Sequence, residues 1–123
     1  MTDQEFLTEF YALTLPPSAF GHAGHLRLAA LNLRAYGTQA AVERTCAGIR
    51  AYAAHLGAAD KFNWTVTEAL VRLMAAAGGT LDGDARVLLD RHYSPELLAS
   101  AAARRAFAAP DREPLPACID SAG

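Results

Sequence analysis

Two histidines placed three positions apart, His22 and His25, are the most chemically suggestive residues of this sequence. If the segment from His22 onward is helical, positions i and i+3 lie on the same side of the helix, so both imidazoles would share one face. Ala29 and Asn32 continue that face and place a small residue and an amide beside the two rings. Such a face should line a pocket or meet a polar partner, because the burial of polar groups without hydrogen-bond partners costs free energy.

Imidazole chemistry leaves two roles open for this pair. Histidine pairs at this spacing bind zinc, copper, nickel or iron, although at least one further ligand must come from elsewhere in the chain. Histidine also titrates near neutral pH, which suits a general acid or base in a small enzyme. The plainer alternatives are one histidine that caps the helix and a second that forms a hydrogen bond in the core. The sequence contains neither His-Glu-x-x-His nor paired Cys-x-x-Cys motifs.

A second polar cluster spans residues 61–67, where a later helix begins. Unpaired amides at a helix start favour a polar or anionic ligand. In this cluster Lys61 supplies a charge, Trp64 supplies a stacking surface and Thr67 supplies a hydroxyl. The alternative interpretation is a capped helix start with an ordinary core tryptophan. From both clusters we predict a ligand-binding set, in addition to the two histidines: Arg27, Asn32, Lys61, Asn63, Trp64 and Thr67.

Helix signals position these residues, and no strand pattern competes with them. The apolar spacing predicts a first helix that starts at a Thr2–Glu5 capping box and a second helix over about 22–36. A third helix over 38–56 has Thr38 as its cap. A fourth runs from a Thr65–Glu68 capping box to about 77. A shorter helix over 87–89 and a last helical region from Ser94 to Phe107 follow, with a turn at Gly83 before them. We predict an all-α, compact bundle of about four main helices plus shorter C-terminal helices. It forms one domain over residues 1–109, and residues 110–123 form a Pro-rich, irregular tail that is draped over the surface or frayed.

Composition excludes several function classes. A net charge of -2 at pH 7 argues against binding to nucleic acid. No run reaches the roughly 20 apolar residues that span a bilayer, so no membrane partner is expected. The acidic N-terminal residues differ from the basic start of a signal peptide, which predicts a cytoplasmic protein. Cys46 and Cys118 are too few for a disulfide framework and are expected to stay reduced.

Two longer patterns lie at residues 20–29 and 61–65. The first comprises Phe20, His22, His25, Leu26, Arg27 and Ala29, and the second comprises Lys61, Phe62, Asn63 and Thr65. With them the chain resembles a group of small, largely uncharacterised bacterial proteins that share Phe-x-His-x-x-His-Leu-Arg-x-Ala and a later Lys-Tyr-His-x-Thr. The resemblance implies membership but no mechanism. Asn63 stands where the group has a third histidine, so a divalent metal is possible but disfavoured as a cofactor.

These observations predict a small-molecule pocket protein, or a small enzyme with His22 and His25 as general acid or base, for a small polar or anionic ligand. One alternative is a non-catalytic helical module that binds a protein partner or forms a homodimer through its Ala-rich faces. A divalent-metal-binding protein is the second alternative. The sequence selects no reaction class.

Overall fold

The structure, a computed structural model, describes residues 1–79, residue 81 and residues 84–116. These residues form seven α-helices and no strand: α1 (Asp3–Tyr11), α2 (His22–Tyr36), α3 (Thr38–His55), α4 (Trp64–Ala76), α5 (Ala85–His92), α6 (Pro95–Ala99) and α7 (Ala101–Arg105). Short 3-10 turns at Pro17–Ala19 and Ala59–Lys61 precede α2 and α4. The predicted all-α class, with longer helices first and shorter ones after them, is confirmed.

Local sequence signals account for several helix ends. The Thr2 hydroxyl accepts from the Glu5 amide and the Glu5 carboxylate accepts from the Thr2 amide, so the predicted capping box of α1 is confirmed. Gly37 joins α2 to α3 with a φ of 83°, a left-handed conformation that glycine adopts without strain. Thr38 is the first residue of α3 rather than its cap, because the tight Gly37 turn itself occupies the capping position.

The predicted start of α4 is wrong. The helix begins at Trp64, and Asn63 caps it, because the Asn63 side-chain oxygen accepts from the Val66 amide at 3.1 Å. Thr65 is fully buried, and its hydroxyl bonds to the Ala103 carbonyl of α7 and to the Ala106 carbonyl just after α7 rather than to its own helix. Glu68 is also buried and accepts from the Trp64 indole at 2.9 Å. The residue types of a capping box are therefore present, but Thr65 serves a tertiary contact and Glu68 binds a side chain one turn away on its own helix.

Two buried clusters hold the longer helices together. Around α1 the rings of Phe10 and Phe20 lie 4.9 Å apart, and Tyr52 of α3 lies 5.4 Å from Phe10. The Tyr52 hydroxyl donates to the Leu15 carbonyl at 2.7 Å, which ties α3 to the segment after α1. A second cluster packs α2, α3 and α4 together through small and medium side chains: Ala29, Ala41, Val42, Cys46, Val71 and Met74. The three helices that carry the candidate residues are thereby fixed side by side.

The C-terminal part of the chain is tied to α5 and α6. The Tyr93 hydroxyl donates to the Ala108 carbonyl at 2.8 Å, and the Ser94 hydroxyl donates to the Asp111 carboxylate at 2.6 Å. The hydrogen bonds that Asp111 accepts from the Ser94 hydroxyl and the Ser94 amide hold the pKa of its carboxyl below the usual value. The described part of the predicted tail is therefore draped over these helices; the boundary at 109 stays a prediction.

The last predicted helical region is broken into two helices. Ser100 ends α6 and caps α7, since its hydroxyl accepts from the Ala103 amide. Phe107 lies beyond the end of α7 because the chain becomes extended at Ala106. The predicted turn at Gly83 and residues 117–123 of the predicted tail lie outside the described residues.

Candidate functional site

A cavity of about 440 Å³ lies between α2, α3 and α4. The start of α2, the middle of α3, the residues 61–63 that lead into α4, and the inward face of α4 form its walls. Its volume lies within the range of pockets that hold small molecules, roughly 300 to 1,000 Å³. Both polar clusters that the sequence singles out contribute residues to it.

The floor of the cavity is apolar and buried. Its buried side chains come from all three helices, and half-buried ones surround them: Ala29, Ile49, Val71, Met74, Leu26, Phe62, Val66 and Leu70. Thr45 is the polar exception, and its hydroxyl accepts from the Asn32 amide group at 3.0 Å. No buried side-chain nitrogen or oxygen among the described residues lacks a hydrogen-bond partner. The floor therefore has no polar group that needs a ligand.

His25 lies at the exposed mouth with its ring held in place. Its Nδ1 lies 2.9 Å from the Gly21 carbonyl oxygen. Since a carbonyl can only accept, Nδ1 carries the proton and Nε2 remains to meet a ligand. The ring also stacks on Phe20 with centroids 4.3 Å apart. An imidazole oriented in this way can bind a polar group or exchange a proton with it.

His22 and Lys61 complete the polar part of the mouth. Both side chains are exposed and both residues line the cavity with His25. Among the described residues no aspartate or glutamate lines it. The structure thus brings the two histidines and Lys61 together around one opening, and their roles stay predictions.

Asn63 and Thr67 also line the cavity, but their polar atoms are already engaged. The Asn63 amide group donates to the Leu98 carbonyl at 2.7 Å, while its oxygen caps α4. The Thr67 hydroxyl donates to the Asn63 carbonyl at 3.0 Å. Asn63 therefore acts as a structural link between α4 and α6, which explains an amide at this position without any ligand.

Two predicted ligand-binding residues of α2 lie outside the cavity. Arg27 pairs with Asp3 at 2.8 Å and so attaches α2 to the N-terminal residues. Asn32 is buried, and its amide group donates to the Tyr11 hydroxyl and to the Thr45 hydroxyl at about 3 Å. The face of α2 that carries the histidines lines the mouth only at the start of the helix. At Asn32 the same face is covered by α1 and α3.

Trp64 also lies outside the cavity. Its indole donates to buried Glu68, which in turn pairs with Arg72 at 2.7 Å, one helical turn further on. The Arg50 guanidinium lies over the indole ring, 5.1 Å from its centroid. Trp64 thus belongs to a separate polar depression formed by α3 and α4, and it offers no stacking surface to a ligand in the cavity.

Neither a metal cluster nor a membrane-spanning helix is found in the part of the chain that the structure describes. No three side chains of histidine, cysteine, aspartate or glutamate lie together there in a way that could hold a metal ion. No helix there is long and apolar enough to cross a bilayer. A metal at His22 and His25 would need a ligand from outside this set.

Cys46 should be unreactive in the folded protein. Burial raises the pKa of its thiol from 9.0 to about 12, and the Glu68 carboxylate adds to the rise. At a pH of about 8 the reactive thiolate is then about a thousandfold rarer than in an exposed cysteine. In a Cys118→Ser variant, where Cys46 is the sole thiol, labelling with a maleimide should proceed at the rate of unfolding. Labelling as fast as that of free cysteine would contradict this.

Sequence reasoning missed the floor of the cavity. Ile49, Val71 and Met74 have the spacing of ordinary core residues, and apolar periodicity does not separate a packed face from a face that borders a cavity. Phe62 belongs to the pattern at residues 61–65, but that pattern does not indicate that its side chain forms part of the wall. The difference depends on how closely α2, α3 and α4 approach one another, which is a tertiary property.

The geometry of the cavity is the basis for inferring a function. The described contacts assign Arg27, Asn32 and Trp64 to other parts of the fold and leave the histidine pair and Lys61 at its mouth. The resemblance to the small bacterial proteins stays a prediction. Protein-family models, curated proteins and solved structures give no match to this chain.

Proposed function

We propose that this protein binds a small molecule whose apolar body occupies the cavity and whose polar end lies at its mouth. The observation that carries the proposal is the division of the cavity into a buried apolar floor and an exposed rim with His22, His25 and Lys61. Small-molecule pockets typically combine mostly apolar walls with a few placed polar groups.

The apolar floor supplies the affinity. Each methylene that leaves water for such a floor contributes about 0.8 kcal/mol. Association costs at least roughly 4 kcal/mol in lost freedom, so an alkyl or aryl body of several carbons is needed for measurable binding. A purely polar metabolite would place its polar groups against Ile49, Val71 and Met74, which offer no hydrogen-bond partners, and burial of such groups costs free energy.

The mouth supplies orientation. With Nδ1 bonded to Gly21, His25 presents Nε2 as the ring nitrogen for the polar end of the ligand. The same atom would act as general acid or base if the bound molecule is transformed. Binding is the conclusion that the cavity supports best, since it needs the walls and the rim but no particular reaction.

Calorimetric titration with decanoate and decanol tests this proposal. Wild type should bind at least one of them, and Ala29→Leu should weaken binding tenfold or more, because the larger side chain fills the floor. Val66→Phe, which narrows the cavity from α4, is a second filling variant if the first folds poorly. Ala47→Leu adds the same volume on the exposed side of α3 and should bind like wild type.

Two results would overturn the proposal. One is a wild type that binds neither probe with a Kd below about 1 mM, since the floor alone should provide that much. The other is a pair of folded filling variants that bind as well as Ala47→Leu. Thermal melting of each variant verifies that it is folded before titration.

A further inference from the structure

We infer that the polar end of the ligand is an anion and that a carboxylate is the chemistry that the mouth recognises. This inference rests on the proposed function, since it concerns the same cavity. Among the described lining residues every ionisable side chain is a base, namely His22, His25 and Lys61. A neutral alcohol would use the floor equally well but would gain nothing from these charges.

Lys61 provides the lasting positive charge. It is the sole lysine of the sequence, and no carboxylate of the described residues lies within 4 Å of its ammonium group. Its neighbour Asp60 is exposed and does not line the cavity. The Asp60 carbonyl accepts from the Arg104 guanidinium, which brings a second cation to that corner. The charges near Lys61 therefore do not cancel at the opening.

The histidines and the start of α2 act in the same direction. An imidazole that carries a proton on both ring nitrogens donates to a carboxylate, and His25, whose Nδ1 is bonded to Gly21, would do so through Nε2. The beginning of α2 has no side-chain cap, because Gly21 occupies that position and itself lines the cavity. Its first amides add a partial positive charge beside His22. By contrast, Asn63 already caps the start of α4.

Head-group exchange at constant chain length tests the inference. Decanoate, decanol and decylammonium are titrated into wild type, Lys61→Gln, Lys61→Arg and Arg34→Gln at low salt. Wild type should bind decanoate more tightly than the other two probes. Lys61→Gln should raise the Kd of decanoate about threefold to tenfold and leave the Kd of decanol within about twofold of the wild-type value. Lys61→Arg should keep the preference, and Arg34→Gln, which removes an equal exposed charge elsewhere, should not change it.

Protection of Lys61 from an amine-reactive label gives a second readout. Saturating decanoate should slow acetylation of Lys61, measured by mass spectrometry, more than decanol does at equal occupancy. If decanol or decylammonium binds as tightly as decanoate, or if Lys61→Gln affects decanoate no more than Arg34→Gln, the inference is wrong while the proposed function stands. If no probe binds wild type, the proposed function fails and the inference fails with it.

Discussion

Thr65→Val should lower the free energy of unfolding by about 3 kcal/mol, although the two side chains have nearly the same shape. The Thr65 hydroxyl is fully buried and bonds to three backbone groups, one in α7 and two in the segment that follows it. Its single proton is shared between the carbonyls of Ala103 and Ala106, which lie 2.7 and 3.0 Å from the hydroxyl oxygen, and that oxygen accepts from the Ala108 amide at 3.0 Å. Valine would leave these groups without a partner, at about 1 to 3 kcal/mol for each group that water cannot reach.

Thermal melting checks this value, and an expected loss of about 3 kcal/mol corresponds to roughly 10 °C for a chain of this size. Thr67→Val is the matched control, since the Thr67 hydroxyl bonds within its own helix and should cost less than about 1 kcal/mol. Thr65→Ser keeps the hydroxyl, so its free energy of unfolding should fall much less than that of Thr65→Val. Equal losses in Thr65→Val and Thr67→Val would show that the contacts of Thr65 do not stabilise the fold.

The helices could be predicted from the sequence because their signals are local. The Thr2–Glu5 capping box, the Gly37 turn and the Ser94-Pro95 start each involve residues a few positions apart, and each is present in the structure. Thr65 and Glu68 show the limit of this reasoning. Their spacing is that of a capping box, but buried Thr65 binds the backbone of α7 and buried Glu68 binds the Trp64 indole of its own helix, and local spacing does not reveal burial.

The candidate site could be predicted in part for the same reason. Helical spacing places His22, His25 and Ala29 on one face, and all three line the cavity. Asn32 continues the same spacing, yet it is enclosed by Tyr11 and Thr45. Which stretch of a helix face borders a cavity depends on where neighbouring helices pack, and that information is spread over the whole chain. The charge at Lys61 could be read directly, whereas its position at the mouth could not.

Gly48→Ala should destabilise the protein by about 2 kcal/mol, against the usual effect of alanine in a helix. Alanine is favoured over glycine within a helix by about 1 kcal/mol. A methyl group at Gly48 of α3, however, would lie 2.8 Å from the Phe10 ring and 3.1 Å from the Tyr11 ring. Phe10 is 1% exposed and enclosed by the rings of Phe20 and Tyr52, so it has little room to move. Overpacking of a core typically costs 1 to 3 kcal/mol, and a contact this short should cost about 3 kcal/mol. Less the helical gain of about 1 kcal/mol, the net loss of stability is about 2 kcal/mol.

A double-mutant cycle separates the two contributions. Ala47→Gly, at the exposed neighbouring position of α3, measures the helical preference alone and should cost about 1 kcal/mol. Phe10→Leu removes the ring edge that the new methyl group meets, so Gly48→Ala should be neutral or stabilising in that background. Urea unfolding of wild type, Gly48→Ala, Phe10→Leu and the double variant gives the coupling energy. If Gly48→Ala stabilises the wild-type background, α1 does not approach α3 as closely as this contact requires, because the helical gain would then be unopposed.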